Sequence, residues 1–321
     1  MNKLTVTASP HIHSGASTRR IMLDVVIALI PALIAATFFF GTRVLLLTAA
    51  TVSAAILAEM ASRMVMKRDT DTIYDFSAVI TGLLLALSFP VSLPVWQAAL
   101  GAAIAIVVIK QMFGGLGQNF VNPAIAGRLV LMFSFPVALS AVWTPPLFGS
   151  AADAITTATS DVVTTATPLA LLAEGAPLPS YWELFIGAHA GSMGETSILA
   201  LLIGAAYLLW RRVISPVIPV TFIGTTLLIV TLAGEDPLVH LMTGALVIVA
   251  FFMATDYVTA PMNFKGRVVF GVGCGIITAL IRLFAALPEG VSFAVILMNI
   301  LTPHIETLTQ PKAFGQKGGK D

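Results

Sequence analysis

The chain has 321 residues, of which 57% are hydrophobic and only 10% charged, with a net charge of +1 and a mean hydropathy of +0.95. A soluble domain carries about 25% charged residues, so a soluble globular class is excluded, and so is disorder. One cysteine excludes a disulfide framework and an iron–sulfur centre built by this chain alone, and scattered basic residues leave no nucleic-acid footprint.

The first segment, MNKLTVTASPHIHSGASTRR, is polar and lacks the apolar core of a signal peptide. Ten apolar runs follow, over about 22–40, 44–62, 73–91, 95–113, 124–142, 192–210, 213–232, 238–256, 268–286 and 290–305. A lipid-spanning helix needs about 20 mostly apolar residues. The runs are continuous, not alternating, which fits helices and excludes a barrel. The expected fold is therefore an all-α polytopic membrane protein with about ten transmembrane helices. The tenth run is the shortest and carries Asn299 and Pro303.

Arg19 and Arg20, just ahead of the first run, hold the N-terminus in the cytoplasm. With ten spans the C-terminus is also cytoplasmic. Of the 17 Lys and Arg, only Arg43 and Arg282 then fall on the outer side. The expected organisation is a cytoplasmic segment 1–21, a first five-helix half 22–142, an outer loop 143–191, a second five-helix half 192–305 and a cytoplasmic tail 306–321. The expected location is the cell inner membrane, with the loop in the periplasm of a Gram-negative cell.

That loop is long, and long loops are usually functional or disordered. It contains no Lys or Arg, and its middle reads AADAITTATSDVVTTATPLALLAEG. Val162, Val163, Leu169, Leu171 and Leu172 frame the threonines, as expected of a loop folded against the protein. Thr167 before Pro168 is the pattern of a helix cap followed by proline at the first helical position. YWELF at 181–185 reads as an interfacial aromatic segment.

GQNFVNPAIAGRL at 117–129 and GVSFAVILMNILTPHIE at 290–306 echo one another, each placing Gly, Phe, Asn and Pro together. The echo and the equal span counts suggest two inverted five-helix repeats. Asn119, Asn122 and Asn299 are then either helix ends at the interface or breaks that line a cofactor or ion cavity. Asp24, Glu59, Asp75 and Asp256 are carboxylates in or beside apolar runs, so each should face the bundle, a cavity or the interface. Arg128 and Arg267 are candidate partners for Asp24 or Asp256. Arg282 either approaches an outer anion or snorkels. The five histidines have no zinc spacing. Cys274 between glycines reads as a small buried residue at a close helix contact.

Four segments carry a resemblance: DVVTTATPL at 161–169, NPAIAGRL at 122–129, FMATDYVTAPMNFKGR at 252–267 and PEGVSFAVILMNILTPHIE at 288–306. Over about residues 20–306 the chain resembles the family of the Rnf complex D subunit and its relative, the B subunit of the sodium-pumping NADH:quinone reductase. The resemblance implies a covalent FMN on an outer-loop threonine. The family pattern is Asp, two variable residues, Ser or Thr, commonly Gly, Ala, then the acceptor. It falls on Asp161, Thr164, Ala166 and the acceptor Thr167, with Thr165 in place of the common Gly.

The resemblance further implies a non-catalytic subunit of a redox-driven ion translocase, of ferredoxin:NAD+ oxidoreductase type. It implies other membrane and peripheral subunits as partners, a flavin transferase during maturation, Na+ or H+ as the coupling ion, and a second, non-covalent flavin, riboflavin or FMN. No G-x-G-x-x-G fingerprint or cysteine cluster is present, so NAD and iron–sulfur binding are not expected of this chain. The rival class is a facilitative channel or secondary transporter with no redox function, which ten spans and Asn-Pro breaks would also suit.

Overall fold

A computed structural model describes residues 17–68, 74–148, 166–285 and 290–310. Among them all regular structure is helical. Each of the ten expected runs contains a helix, but only four helices are long and apolar enough to cross a membrane: α1 (Thr18–Phe40), α2 (Arg43–Val65), α12 (Phe264–Phe284) and α13 (Gly290–Thr309). The run that reads as the shortest in sequence is thus a full 20-residue helix. Pro303 sits inside it, where lost backbone bonding can be made good locally in a membrane helix.

The other runs form shorter helices: α3 (Ser77–Leu87), α4 (Val95–Gln111, its second half wound as a π-helix), α5 (Pro123–Ser134), α8 (Ile198–Trp210) and α9 (Val217–Leu232). The shortening has local causes. Pro94 precedes α4, Asn122-Pro123 opens α5, and Pro136 follows its end. The eighth run is split into α10 (Pro237–Met242) and α11 (Leu246–Ile248, continued as a π-turn over Val249–Met253). Between them Thr243 is extended and Gly244 has φ +66°, a conformation that favours glycine.

Two short helices lie in the segment between α5 and α8: α6 (Pro168–Ala173) and α7 (Tyr181–Ile186). In α7 Leu184 is fully buried while Tyr181 and Trp182 are exposed, the one-sided burial expected of a surface helix. The expected start of the sixth run at 192 is corrected to 198. Residues 188–197 are irregular yet buried throughout. Met193 N donates to Phe89 O (3.0 Å) and Gly194 N to Leu87 O (2.7 Å), so this loop and the broken end of α3 bond to each other. Irregular backbone in an apolar interior needs such partners.

Small residues set the tightest crossings. A Cβ on Gly271 would strike Thr221 and Ile218 O of α9, and one on Gly275 would meet Thr225 at 2.7 Å and Phe222 O at 2.8 Å. Cys274 is buried on the same stretch of α12. Replacing Gly275 by Leu should force α9 and α12 apart and cost about 1–3 kcal/mol, read as a lower midpoint in detergent-denaturant unfolding.

Candidate functional site

The segment between α5 and α8 is organised by α6. Thr167 is its N-cap: backbone extended, Oγ1 accepting from Ala170 N at 3.3 Å, with Pro168 in the first turn. Asp161 and Thr164 lie outside the described residues; Ala166 is exposed and Thr167 half-buried. Leu169 anchors the helix. It is buried, and a Cβ added to Gly244 would come within 2.7 Å of its Cδ1 and 3.1 Å of Arg282 Nη2. The glycine break between α10 and α11 thus has a second use, since it makes room for α6.

Both arginines left on the outer side by the charge count serve helix breaks. Arg282 Nη1 donates to His240 O (2.6 Å) and Nη2 to Thr243 O (3.0 Å), satisfying carbonyls freed where α10 ends. Arg43 Nε donates to Val91 O (2.8 Å) and Nη2 to Ser92 O (3.3 Å), just beyond α3. Arg282 therefore does not simply snorkel. Beside it lies a cavity of about 590 Å³ lined by α6, by His240 and by the end of α12.

α7 is tied to α10 at the same end of the bundle. Tyr181 OH donates to Asp236, which also caps α10 through Leu238 N (2.9 Å). The tyrosine hydrogen bond holds the Asp236 carboxyl below its ordinary value, and the same contact raises the tyrosine. A depressed carboxyl contributes stability above its unfolded value, and loses it as pH falls through the folded one. The α7–α10 contact should accordingly loosen below about pH 4, detected as faster amide exchange in α10 and a change in Trp182 emission. Asp236→Ala should remove that pH dependence.

A second cavity, of about 100 Å³, is lined by Ser77, Lys110, Asn119, Asn122, Thr255 and Asp256 among others. Asn122 accepts from Ala124 N (3.0 Å) as the cap of α5 and donates to Met253 O (3.1 Å), the last residue of the π-turn after α11. Asn299, with its amide oriented to satisfy both atoms, donates to Thr259 O (3.2 Å) and accepts from Asn122 N (3.1 Å). One asparagine from each segment of the sequence echo, Asn122 and Asn299, therefore meets the other. Asn119 donates to Val121 O (3.0 Å), and Asp256 accepts from Thr259 Oγ1 (3.2 Å). Asn119, Asn122 and Asp256 share one cavity, and Asn299 is reached through Asn122.

The other expected residues lie elsewhere. Asp24 takes Tyr207 OH (2.8 Å) and Arg211 (3.1 Å), because α1 crosses α8 so closely that a Cβ on Gly204 would strike Ala28 O. This corrects the expected pairing with Arg128 or Arg267. Arg128 is buried and donates to Ser192 Oγ (3.3 Å) in the loop before α8, and Arg267 donates to Pro261 O (3.2 Å).

Glu59 faces the bundle as expected, but its partners, and a second polar cluster, escape the sequence reading. Glu59 is fully buried and accepts Lys110 Nζ at 2.9 and 3.0 Å and Gln111 Nε2 at 2.8 Å; Lys110 also donates to Ser77 Oγ at 2.6 Å. A signal existed, since one carboxylate and one ammonium in separate apolar helices favour each other. In the 188–197 loop, Glu195 Oε1 accepts from Ser192 N (2.9 Å), while Glu195 Oε2 and His189 Nε2 are buried with no hydrogen-bond partner. Among the described residues, no group of three His, Cys, Asp or Glu is placed to hold a metal.

A helical bundle with apolar outer faces, internally satisfied helix breaks and buried charge pairs is a multi-pass integral membrane protein. The chain belongs to the NQR2, RnfD, RnfE family, whose profile matches residues 5–315. It is 43% identical over 316 residues to the D subunit of the Na(+)-translocating ferredoxin:NAD(+) oxidoreductase complex of Acetobacterium woodii, covering 97% of this chain and 95% of that one. It is 41% identical to the D subunit of the proton-translocating ferredoxin:NAD(+) oxidoreductase complex of Clostridium ljungdahlii (98% and 97% covered). The D subunit of the ion-translocating oxidoreductase complex of Yersinia pseudotuberculosis is 37% identical (98% and 99% covered).

Proposed function

We infer that this chain is the D-type membrane subunit of an Rnf-type ion-translocating electron-transport complex, and that it relays electrons through FMN esterified to Thr167. The observation that carries the flavin assignment is Thr167 itself. It is the alcohol that completes the family pattern begun by Asp161, Thr164 and Ala166, and it is held at the head of α6 beside a roomy cavity.

Attachment would consume an activated flavin nucleotide. Thr167 Oγ attacks the flavin-side phosphorus of a phosphoanhydride, the anhydride bond breaks, a nucleoside monophosphate leaves and the hydroxyl proton passes to base. A flavin transferase supplies this chemistry. When bound, FMN provides reversible one- and two-electron chemistry, and a phosphate ester leaves its ring free to cycle. In this reading ten helical runs lie in the inner membrane, with both termini in the cytoplasm and the α5–α8 segment outside. The two halves would be inverted repeats. Peptide mass analysis of residues 143–191 from native membranes tests the cofactor and its residue together. An unmodified peptide from flavinylating cells would overturn the assignment.

The second cavity, of about 100 Å³, is the proposed ion pocket of the same subunit, for Na+ or H+, and is too small for a flavin. Asn119, Asn122, Asp256 and, through Asn122, Asn299 would line its path; Asp24 and Arg128 would contribute from their own buried sites. Asp256→Asn should slow or uncouple ion uptake by membrane vesicles while the covalent flavin stays attached. Unchanged uptake and electron transfer would remove Asp256 from the route.

A further inference from the structure

A third cavity, of about 510 Å³, is a cleft between the start of α4 and the end of α5. Pro94 and Gln97 line one side, and Phe135, Val137, Ala138 and Val142 the other. The break at Pro136 shapes it, because α5 ends at Ser134 and the chain resumes as a π-turn over Val137–Ala141. Among the described residues no acidic side chain lines the cleft. Val137 is exposed at its rim, and so is Trp96, whose ring meets that of Phe135 edge-on at 5.4 Å. On the surface of a membrane bundle the solvent around such a cleft is hydrocarbon. Left empty, its walls would forfeit dispersion contacts that an acyl chain supplies.

One end of the cleft carries a charge. Ser92, which lines it, accepts Arg43 Nη2 at 3.3 Å through its carbonyl, and its own Oγ donates to Val142 O at 2.7 Å. Arg43 is exposed, and its Nε is engaged on Val91 O. Among the described residues Nη1 has no acceptor, and no carboxylate lies within reach of the guanidinium. We propose that the cleft holds an acyl chain of an anionic phospholipid whose phosphate rests on Arg43. Charge complementarity selects the headgroup, since an uncompensated guanidinium with an open N–H edge matches phosphate oxygens. Trp96 stands at the rim, as aromatic side chains do at headgroup level. The lipid would brace the link from α3 to α4, whose carbonyls at Val91, Ser92 and Leu93 Arg43 already holds. Assigning it to the outer leaflet rests on the topology proposed above; the site itself does not.

The test reconstitutes the whole complex in phosphatidylcholine vesicles that contain a small fraction of lipid with brominated chains, which quench tryptophan on contact. Trp96 emission is the difference between each protein and its Trp96→Phe partner. Brominated phosphatidylglycerol should quench it with about fivefold higher apparent affinity than brominated phosphatidylcholine, the preference one cation gives at a membrane surface. High salt should shrink that preference. Arg43→Gln keeps a donor for the freed carbonyls and drops the charge, so it should abolish the preference. Val137→Phe, from an exposed position, should fill the cleft and weaken quenching by both lipids. Equal quenching by the two lipids in wild type at low salt overturns the proposal. So does the absence of quenching by either, which would mean that a protein partner covers the cleft. Both outcomes are read on wild type, so a variant that fails to assemble does not blunt the test. Thr42→Cys, in the exposed turn beside Arg43, should react with an impermeant thiol reagent from outside the cell. Reaction from the cytoplasmic side alone would overturn the topology and leave the lipid site standing.

Discussion

Replacing Thr167 by Asn is expected to abolish the ultraviolet fluorescence of the subunit band completely, whereas Thr167→Ser retains it. The pair is chosen because Thr167 caps α6 and is also the proposed flavin acceptor, and a Thr→Ala change would confound the two. As the N-cap of α6 it accepts the Ala170 amide, and loss of such a cap costs about 1 kcal/mol. Asn caps as well as Thr but offers no alcohol for a phosphoester. Ser offers both. A dark T167N band in a subunit that still assembles therefore isolates the ester. A fluorescent T167N band would mean that the flavin is held elsewhere. Electron transfer through the complex should fall with the fluorescence, and if it did not, the subunit would be an anchor for its partners.

The second large effect concerns the buried Glu59–Lys110 pair. Lys110→Met should destabilise the fold by about 1–3 kcal/mol, because it removes the nearer of the two buried cations that Glu59 meets and leaves it Arg63 Nε at 3.6 Å and the Gln111 amide. The double change Glu59→Gln with Lys110→Met should recover part of that loss, since it removes the under-compensated charge while the buried Arg63 keeps an acceptor. Denaturant unfolding of the solubilised protein measures both. If the single change is tolerated as well as the double, Glu59 is reached by water or by a cation from the adjoining cavity. Lys110 borders that cavity, as does Ser77, so the ion pair forms part of its wall.

Much of the bundle was legible in the chain. Continuous apolar runs located a helix in each of ten places, since nothing but helix satisfies backbone in a lipid-like interior. The runs did not reveal how far each helix extends. Pro136 and Gly244 interrupt helices inside runs that hydropathy scores as unbroken, while Pro94 and Pro123 fix where α4 and α5 begin. Asn122 and Asn299 stood out as echoes, and their meeting at one hydrogen bond was invisible because they are 177 positions apart. Arg128 was read as a partner for Asp24 or Asp256 because a charge in an apolar run seeks the opposite charge. Its bond to Ser192 depends on the buried loop before α8, which carries no apolar signature of its own. Asp161 and Thr164 lie outside the described residues, so the flavinylation pattern rests on sequence and only its last two positions have a described place.

Composition and hydropathy by themselves determined that this is a multi-pass helical membrane protein, because low charge and long apolar runs leave a chain no other way to bury its backbone and its side chains. The motif residues alone pointed to the outer alcohol. Which polar groups meet was decided only by tertiary structure: Arg43 and Arg282 on freed carbonyls, Glu59 on Lys110, Asp24 on Arg211, Asn122 on Asn299. In an apolar interior every charge and open carbonyl must find a partner. The identity of that partner follows from how helices cross at glycines, and helix crossing is not written in any single stretch of the chain.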